Sequence, residues 1–333
     1  MSAGPRLPEH GESWAGRRAV VLGYGAGGHA VADALQHLGA ETAVFGQSPA
    51  GPEWPERARL LEVLGVDLRL GEKPEDARFD QADLVVVAAD EPQWSVPWAA
   101  RAAGRGVTVW GEAEFAWRLR APDAPAWLAV AGSRGVATTA RLVQAIARAE
   151  GLSCDVAGSR NRPLPEAVMD PQPCDVLVVE ASAALAAGMA SVSCRAAVVL
   201  DVAPGERDTG IGRVYENAQI ACVYNAADAA TEALVAEADV IEGCRAIGFT
   251  LGMPGLSMIG LVEDIIADRA FVVDRHSNAA ELGTTGDLER DGRAATPDLV
   301  ECALAAAALA RAHGVSQRAV RDGLRTALLP AAP

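Results

Sequence analysis

Twice along this 333-residue chain a short β-rich run meets a glycine turn and then a helical pattern. The first instance is RAVVL, then Gly23-Tyr24-Gly25-Ala26-Gly27-Gly28, then HAVADALQHLG. The second is WLAVA, then Gly132-Ser133-Arg134-Gly135, then VATTARLVQAIA. Such a turn gathers backbone N–H groups at a helix N-terminus, where the helix dipole favours an anion. The repetition predicts two α/β units in tandem, each a parallel sheet wound by helices.

The rest of the chain fits that plan. β-rich runs at 18–22, 42–45, 83–89 and 107–110 alternate with helical patterns, and Ala121-Pro122-Asp123-Ala124-Pro125 breaks the series. Further strands are predicted near 127–131, 175–179, 197–202, 220–224 and 246–250, with IGLVEDIIADRAFVVDR as a hairpin turning at Asp268 and Arg269. Thr296-Pro297-Asp298 supplies an N-cap, a proline at the first helical position and an acid in the first turn, and Gly314 ends that helix. The expected layout is a flexible N-terminus at 1–15, a Rossmann-like domain at 16–121 and a second α/β domain at 126–328.

Charge and cysteine usage narrow the function. A net charge of −15 without a Lys/Arg cluster argues against nucleic acid or an anionic membrane as partner. The N-terminus has no signal-peptide pattern and no apolar run approaches the roughly 20 residues of a membrane span, so a cytoplasmic protein is expected. The six cysteines lack CxxC spacing and sit in or beside apolar runs, which favours free buried thiols over zinc ligands or disulfides.

The two loops differ in what they lack. An ATP-type phosphate loop sends a lysine to the β- and γ-phosphates and a Ser or Thr hydroxyl to Mg²⁺. After Gly135 come Val136 and Ala137, and the chain's single lysine is Lys73, far upstream. Arg134 lies two positions before the lysine slot, and its planar fork is a poor substitute for a compact ammonium. Thr138 and Thr139 still offer hydroxyls. The first loop meets the G-x-G-x-x-G pattern, but the following strand ends Val44-Phe45-Gly46-Gln47 without the acid that binds a dinucleotide ribose. An NAD-linked oxidoreductase is therefore a distant alternative. A phosphate or diphosphate at this helix start and simple tight helix–strand packing both remain open.

Order and spacing of SWAGRRAVVLGYGAGG, VTVWGEAEFAWRL, CDVLVVEAS, VYENAQIACVYNAADA, GFTLGMP, DRAFVVDR and ALAAAALARAHGV resemble the Mur ligases, and most of all their D-glutamate-adding members. The resemblance runs from about residue 13 to 325. It implies a first domain that holds a UDP-linked muramyl substrate and a central domain that holds ATP and Mg²⁺. A third domain, which would bring the amino acid, is expected to be absent.

Residue by residue, the resemblance keeps the frame and loses the chemistry. The family's G-T-x-G-K-[ST]-T falls on Gly132, Ser133, Arg134, Gly135, Val136, Ala137 and Thr138. Glu180 matches the magnesium-binding glutamate, as a residual metal site. The D-H-x-D falls on Gly205-Glu206-Arg207-Asp208, the position nearest the carbamylated lysine is Ile211, and the adenine-side H-N-x-x-N falls on Asp298, Leu299 and Cys302. The G-N-I-G loop reads Gly158-Ser159-Arg160-Asn161, and the first domain's S-P-G reads Ala88-Ala89-Asp90. One charged donor on a transferring phosphoryl is worth about 10² to 10³ in rate. Such losses together predict a pseudo-ligase acting by ligand recognition or through a protein partner. The alternative is an ATP- and Mg²⁺-dependent acid–amino-acid ligase completed by a domain in trans.

Overall fold

The computed structural model describes residues 7–8, 10–158, 162–172, 174–205, 209–289 and 293–327. They pack as two compact units that divide after Ala124.

The first unit is a five-stranded parallel sheet. Its strands are β1 (Arg18–Leu22), β2 (Glu41–Gly46), β3 (Asp67–Leu70), β4 (Leu84–Val87) and β5 (Thr108–Gly111), in the order β3-β2-β1-β4-β5. The helices α1 (Ala26–His37), α2 (Trp54–Val63), α3 (Asp76–Asp80), α4 (Pro92–Gly104) and α5 (Glu112–Leu119) connect them. β1 and β4 are apolar almost throughout, as strands covered on both faces must be. Strand order reverses between β1 and β4, which leaves a crevice at the carboxyl ends of the strands. The short β3, with its alternating DLRL, escaped the sequence reading.

Within the segment expected to be flexible, Trp14 is anchored in the core of the first unit. It is buried against Trp110 and Phe115, with ring centroids 6.4 and 6.3 Å away, and its backbone N–H donates to the Leu38 carbonyl. Burying a ring of that size outweighs the cost of ordering the strand's approach.

The second unit holds β6 (Ala126–Ala131), α6 (Val136–Ala149), β7 (Cys154–Ala157), β8 (Val176–Ala181), α8 (Ala183–Ala187), β9 (Ala196–Val199), β10 (Ala221–Asn225), α9 (Ala229–Glu237), β11 (Arg245–Phe249), β12 (Met258–Val262), β13 (Ile265–Asp268), β14 (Ala280–Thr284), α10 (Pro297–His313) and α11 (Gln317–Thr326). The sheet order is β14-β13-β12-β11-β10-β9-β6-β8-β7, parallel from β8 to β12 and antiparallel where β13 and β14 join. α10 is capped as its sequence requires: the Thr296 side chain accepts from Leu299 N–H, and Gly314 closes it in the left-handed conformation.

The hairpin turns elsewhere than expected. β12 pairs with β13 across Glu263 and Asp264, with Glu263 at φ 57°. Asp268 ends β13 fully buried, accepts from the Ala270 and Phe271 N–H groups and pairs with Arg311 at 3.1 Å. A buried, paired acid mimics a turn residue in sequence.

The second unit is also not one unbroken run. Residues 157–172, which carry α7 (Leu164–Met169), and residues 187–191 pack with the first unit. Glu114 fixes the latter segment. Its buried carboxylate accepts from Ala190 N–H at 3.0 Å, Ser191 N–H at 2.7 Å and the Ser191 hydroxyl at 2.6 Å. Burial alone would raise its pKa, but these bonds and Arg118 hold it below the ordinary value.

All six cysteines are free, four of them buried. No helix among the described residues is long and apolar enough to cross a membrane.

Candidate functional site

The second glycine turn leaves β6 in the middle of its sheet, between β8 and β9. Gly132 (φ 146°) and Gly135 (φ 75°) adopt conformations that only glycine holds without strain. The chain itself fills the space a side chain would need: a Cβ on Gly132 would lie 2.8 Å from Asp201 Oδ1, and one on Gly135 2.7 Å from Cys302 Sγ.

Asp201 takes the donors that a phosphate would take. Its Oδ1 accepts from the Ser133 and Arg134 N–H groups at 2.7 and 3.2 Å, and its Oδ2 accepts from the Ser133 hydroxyl at 2.5 Å and from Arg134 Nε at 3.3 Å. Burial works against this charge, but the four hydrogen bonds prevail and hold the carboxyl below its ordinary pKa. Nearby, burial and then Asp298 raise Glu301, whose surroundings also include Arg134 and Asp201.

The candidate ATP residues scatter accordingly. Arg134 turns to Asp201 with its side chain 77% exposed. Val136 and Ala137 open α6 where a lysine and a hydroxyl would be needed. Thr138 is half-buried, whereas Thr139 is fully buried beside Cys302, on the face that carries Leu142, Val143 and Ile146 into the core. Helical periodicity places Thr139 on the packed face of α6 rather than at the open turn. Asp298 lies in the first turn of α10, and Cys302 is spent against Gly135.

Glu180 is the fifth of six residues in β8, half-buried and in register with Val130. Among the described residues, no group of three or more His, Cys, Asp or Glu converges on a metal-sized site. Ser159, Arg160 and Asn161, and Glu206, Arg207 and Asp208, lie outside the described residues. In this loop the backbone donors are held by the Asp201 carboxylate, and Val136 and Ala137 follow Gly135.

The first turn is filled in the same way. Gly28 N–H donates to Asp90 Oδ2 at 3.0 Å, and a Cβ on Gly25 would lie 2.5 Å from the Asp90 carboxyl carbon. A Cβ on Gly27 would lie 2.1 Å from Glu112 Oε2, and one on Gly28 2.1 Å from the Gly23 carbonyl oxygen. Two carboxylates thus crowd the N-terminus of α1, and the glycines serve close packing. Burial, followed by the charge of Asp90, pushes Glu112 up to about 7. Next to it, Glu91 accepts from Gln47 N–H at 3.1 and 3.2 Å, and its burial raises it.

Beside this turn, wholly within the first unit, opens a cavity of about 1160 Å³. It sits at the carboxyl ends of β1, β2 and β4, where open α/β sheets receive ligands. Tyr24 is fully buried, edge-on to Trp54 at 5.6 Å and to His29 at 6.1 Å, while Arg57 lies over the Trp54 ring at 5.3 Å. The Tyr24 hydroxyl and His29 Nδ1 are buried without a hydrogen-bond partner. Burial pushes the tyrosine up to about 12 and, helped by Arg57, pulls the histidine down.

Sequence reasoning singled out the glycines and flagged Asp90, but missed Asp201, Glu112, His29, Trp54 and Arg57. Asp201 carried one usable signal: an acid directly after the strand run AAVVL, beside the strand that feeds the loop. The others come together only through folding.

Two solved structures share the fold. A murein peptide ligase from Psychrobacter arcticus superimposes with a TM-score of 0.52 at 17% identity, over 93% of this chain and 68% of that one. The UDP-N-acetylmuramate:L-alanyl-γ-D-glutamyl-meso-diaminopimelate ligase of Neisseria meningitides gives 0.54 at 16% identity, over 93% and 98%. Both define the architecture as that of the Mur ligases. Among curated proteins, the UDP-N-acetylmuramoylalanine–D-glutamate ligase of Streptomyces avermitilis is 43% identical over 324 residues, 94% of this chain and 67% of the relative. That of Streptomyces coelicolor is 43% identical over 330 residues, with the same coverage, and that of Leifsonia xyli 41% over 343, covering 93% and 64%. The chain spans about two thirds of the length of these relatives. No family model matches it. The chain belongs to the UDP-N-acetylmuramoylalanine–D-glutamate ligase family of Mur ligases.

Proposed function

We propose that this chain is a degenerate member of that family which does not form an amide bond at the cost of ATP, and that it works by ligand recognition in its first unit. The observation that carries the reading is Asp201. Its carboxylate satisfies the Ser133 and Arg134 donors at 2.7 to 3.3 Å, in a loop whose lysine slot is Val136. Carboxylate and phosphate compete for the same N–H groups, and a second anion beside Asp201 would meet like-charge repulsion from Glu301 and Asp298 as well.

The test is direct. Purified protein mixed with UDP-N-acetylmuramoyl-L-alanine, D-glutamate, ATP and Mg²⁺ is expected to release no ADP above a protein-free blank. A stoichiometric, substrate-dependent release of ADP would refute the proposal. Calorimetric titration with Mg²⁺–ATP is expected to be flat.

A second reading keeps the enzyme. Identity of 43% to proteins named as ligases favours an ATP- and Mg²⁺-dependent acid–amino-acid ligase acting on a UDP-linked muramyl precursor, completed by another chain. It requires Asp201 to swing out of the loop, so Mg²⁺–ATP would have to bind with measurable heat. Family membership displaces the oxidoreductase reading.

A further inference from the structure

The cavity beside the first glycine turn is lined by six carboxylates against one guanidinium. The inner groups are the Asp90 carboxylate, the Glu91 carboxylate, the Tyr24 hydroxyl and His29, whose depressed pKa keeps it neutral, with one ring nitrogen free to accept. At this helix start Gly28 N–H, one of the backbone donors that would greet an anion, is already bound to Asp90 at 3.0 Å. Around the mouth stand Asp33, Glu53 and Glu166, with Arg57 held over Trp54. A diphosphate brought here would meet carboxylates at the seat and at the rim.

We infer that this cavity receives an organic ammonium ligand, of the polyamine class. An ammonium carries three donors and no acceptor, which matches Asp90 and the two unpartnered groups, Tyr24 and His29. The faces and edges of Trp54 and Tyr24 add the environment in which organic cations are held. The long aliphatic stem of such a ligand would lie along Ala30 and Ala34 of α1 and along Met169. This inference goes beyond the proposed loss of ligation and concerns the first unit alone.

The experiment is calorimetry on the full chain at low salt, with spermidine and UDP as separate titrants. Saturable one-to-one binding of spermidine is expected, weakened about tenfold by Asp90→Asn and by Trp54→Ala, while UDP stays silent. Asp90→Asn retains an oxygen for Gly28 N–H, so a normal melting temperature in that variant separates lost binding from lost fold. Glu41→Gln, an exposed acid at the opposite end of β2, is expected to bind spermidine as the wild type does. Saturable UDP binding, or spermidine heats that Asp90→Asn and Trp54→Ala leave unchanged, would overturn the inference. An ATP titration reports on the second unit only, so the two proposals can fail separately.

Discussion

The two glycine turns of this protein are built alike and closed alike, and the first of them opens onto a large cavity. At Gly132 a single, partly exposed aspartate ties the loop from the neighbouring strand end, and Cys302 seals the turn from behind. At Gly23 two carboxylates press on the helix start, one of them fully buried, and the space beside them is large and lined by aromatic rings. The first arrangement occupies the loop's donors with a carboxylate. The second fills the anion seat but leaves a pocket in which the Tyr24 hydroxyl and His29 Nδ1 lack partners. A glycine-rich motif therefore reports a backbone conformation, and the nearest acid decides whether that conformation still attracts phosphate.

Four substitutions would break or sharpen this comparison. Gly28→Ala places a Cβ 2.1 Å from a backbone carbonyl that cannot rotate away, so it is expected to cost about 3 kcal/mol and to melt the first unit selectively. Denaturation followed by tryptophan fluorescence, six of the seven tryptophans lying in the first unit, checks this, and an unchanged midpoint would show the first turn to be looser than described. Gly135→Ala at φ 75° is expected to cost about 2 kcal/mol, partly restored by adding Cys302→Ala, because the obstruction there is the far end of a side chain. No rescue in the double variant would assign the cost to the backbone alone.

Asp201→Ala removes the acceptor for a partly exposed set of donors and is expected to cost about 1 to 2 kcal/mol in thermal unfolding. It should also admit inorganic phosphate to the loop, seen as phosphate-dependent stabilisation that the wild type lacks. Absence of that gain would mean that the loop needs its lysine even for simple anion capture.

The last test uses pH. Glu112 is raised from 4.5 to about 7 by burial and by Asp90, so the folded state holds its proton more tightly than the unfolded state. Its contribution is fully present below pH 4.5 and is lost as pH rises through 7, with a slope of at most about 1.4 kcal/mol per pH unit. The stability difference between wild type and Glu112→Gln should therefore change between pH 4.5 and 7 and level off above. Asp201, held below its ordinary value, gives the opposite sign: its contribution is present above the unfolded aspartate pKa and lost as pH falls through the lowered one.

Much of the frame was legible. Alternating apolar runs located β1, β2, β4 and β5 and most of the second sheet, and Thr296 and Gly314 bounded α10 because caps are local chemistry. β3 was missed because four half-buried residues carry little hydrophobic signal. The hairpin turn was misplaced because Asp268 is polar for a long-range reason, its pairing with Arg311, forty-three residues away. The chain's returns to the first unit at 157–172 and 187–191 were equally hidden, since Glu114 meets Ser191 only once both are folded.

The sequence by itself determined the family, the two glycine turns and the absence of a lysine at position 136, because motif spacing and residue identity are properties of the chain order. Only the tertiary structure decided what occupies those turns. Asp90 and Asp201 reach their donors from strand ends 62 and 68 residues away, and the orphaned Tyr24 and His29 atoms exist only relative to a cavity. A hydrogen bond depends on distance and direction in space, and neither is written in separation along the chain.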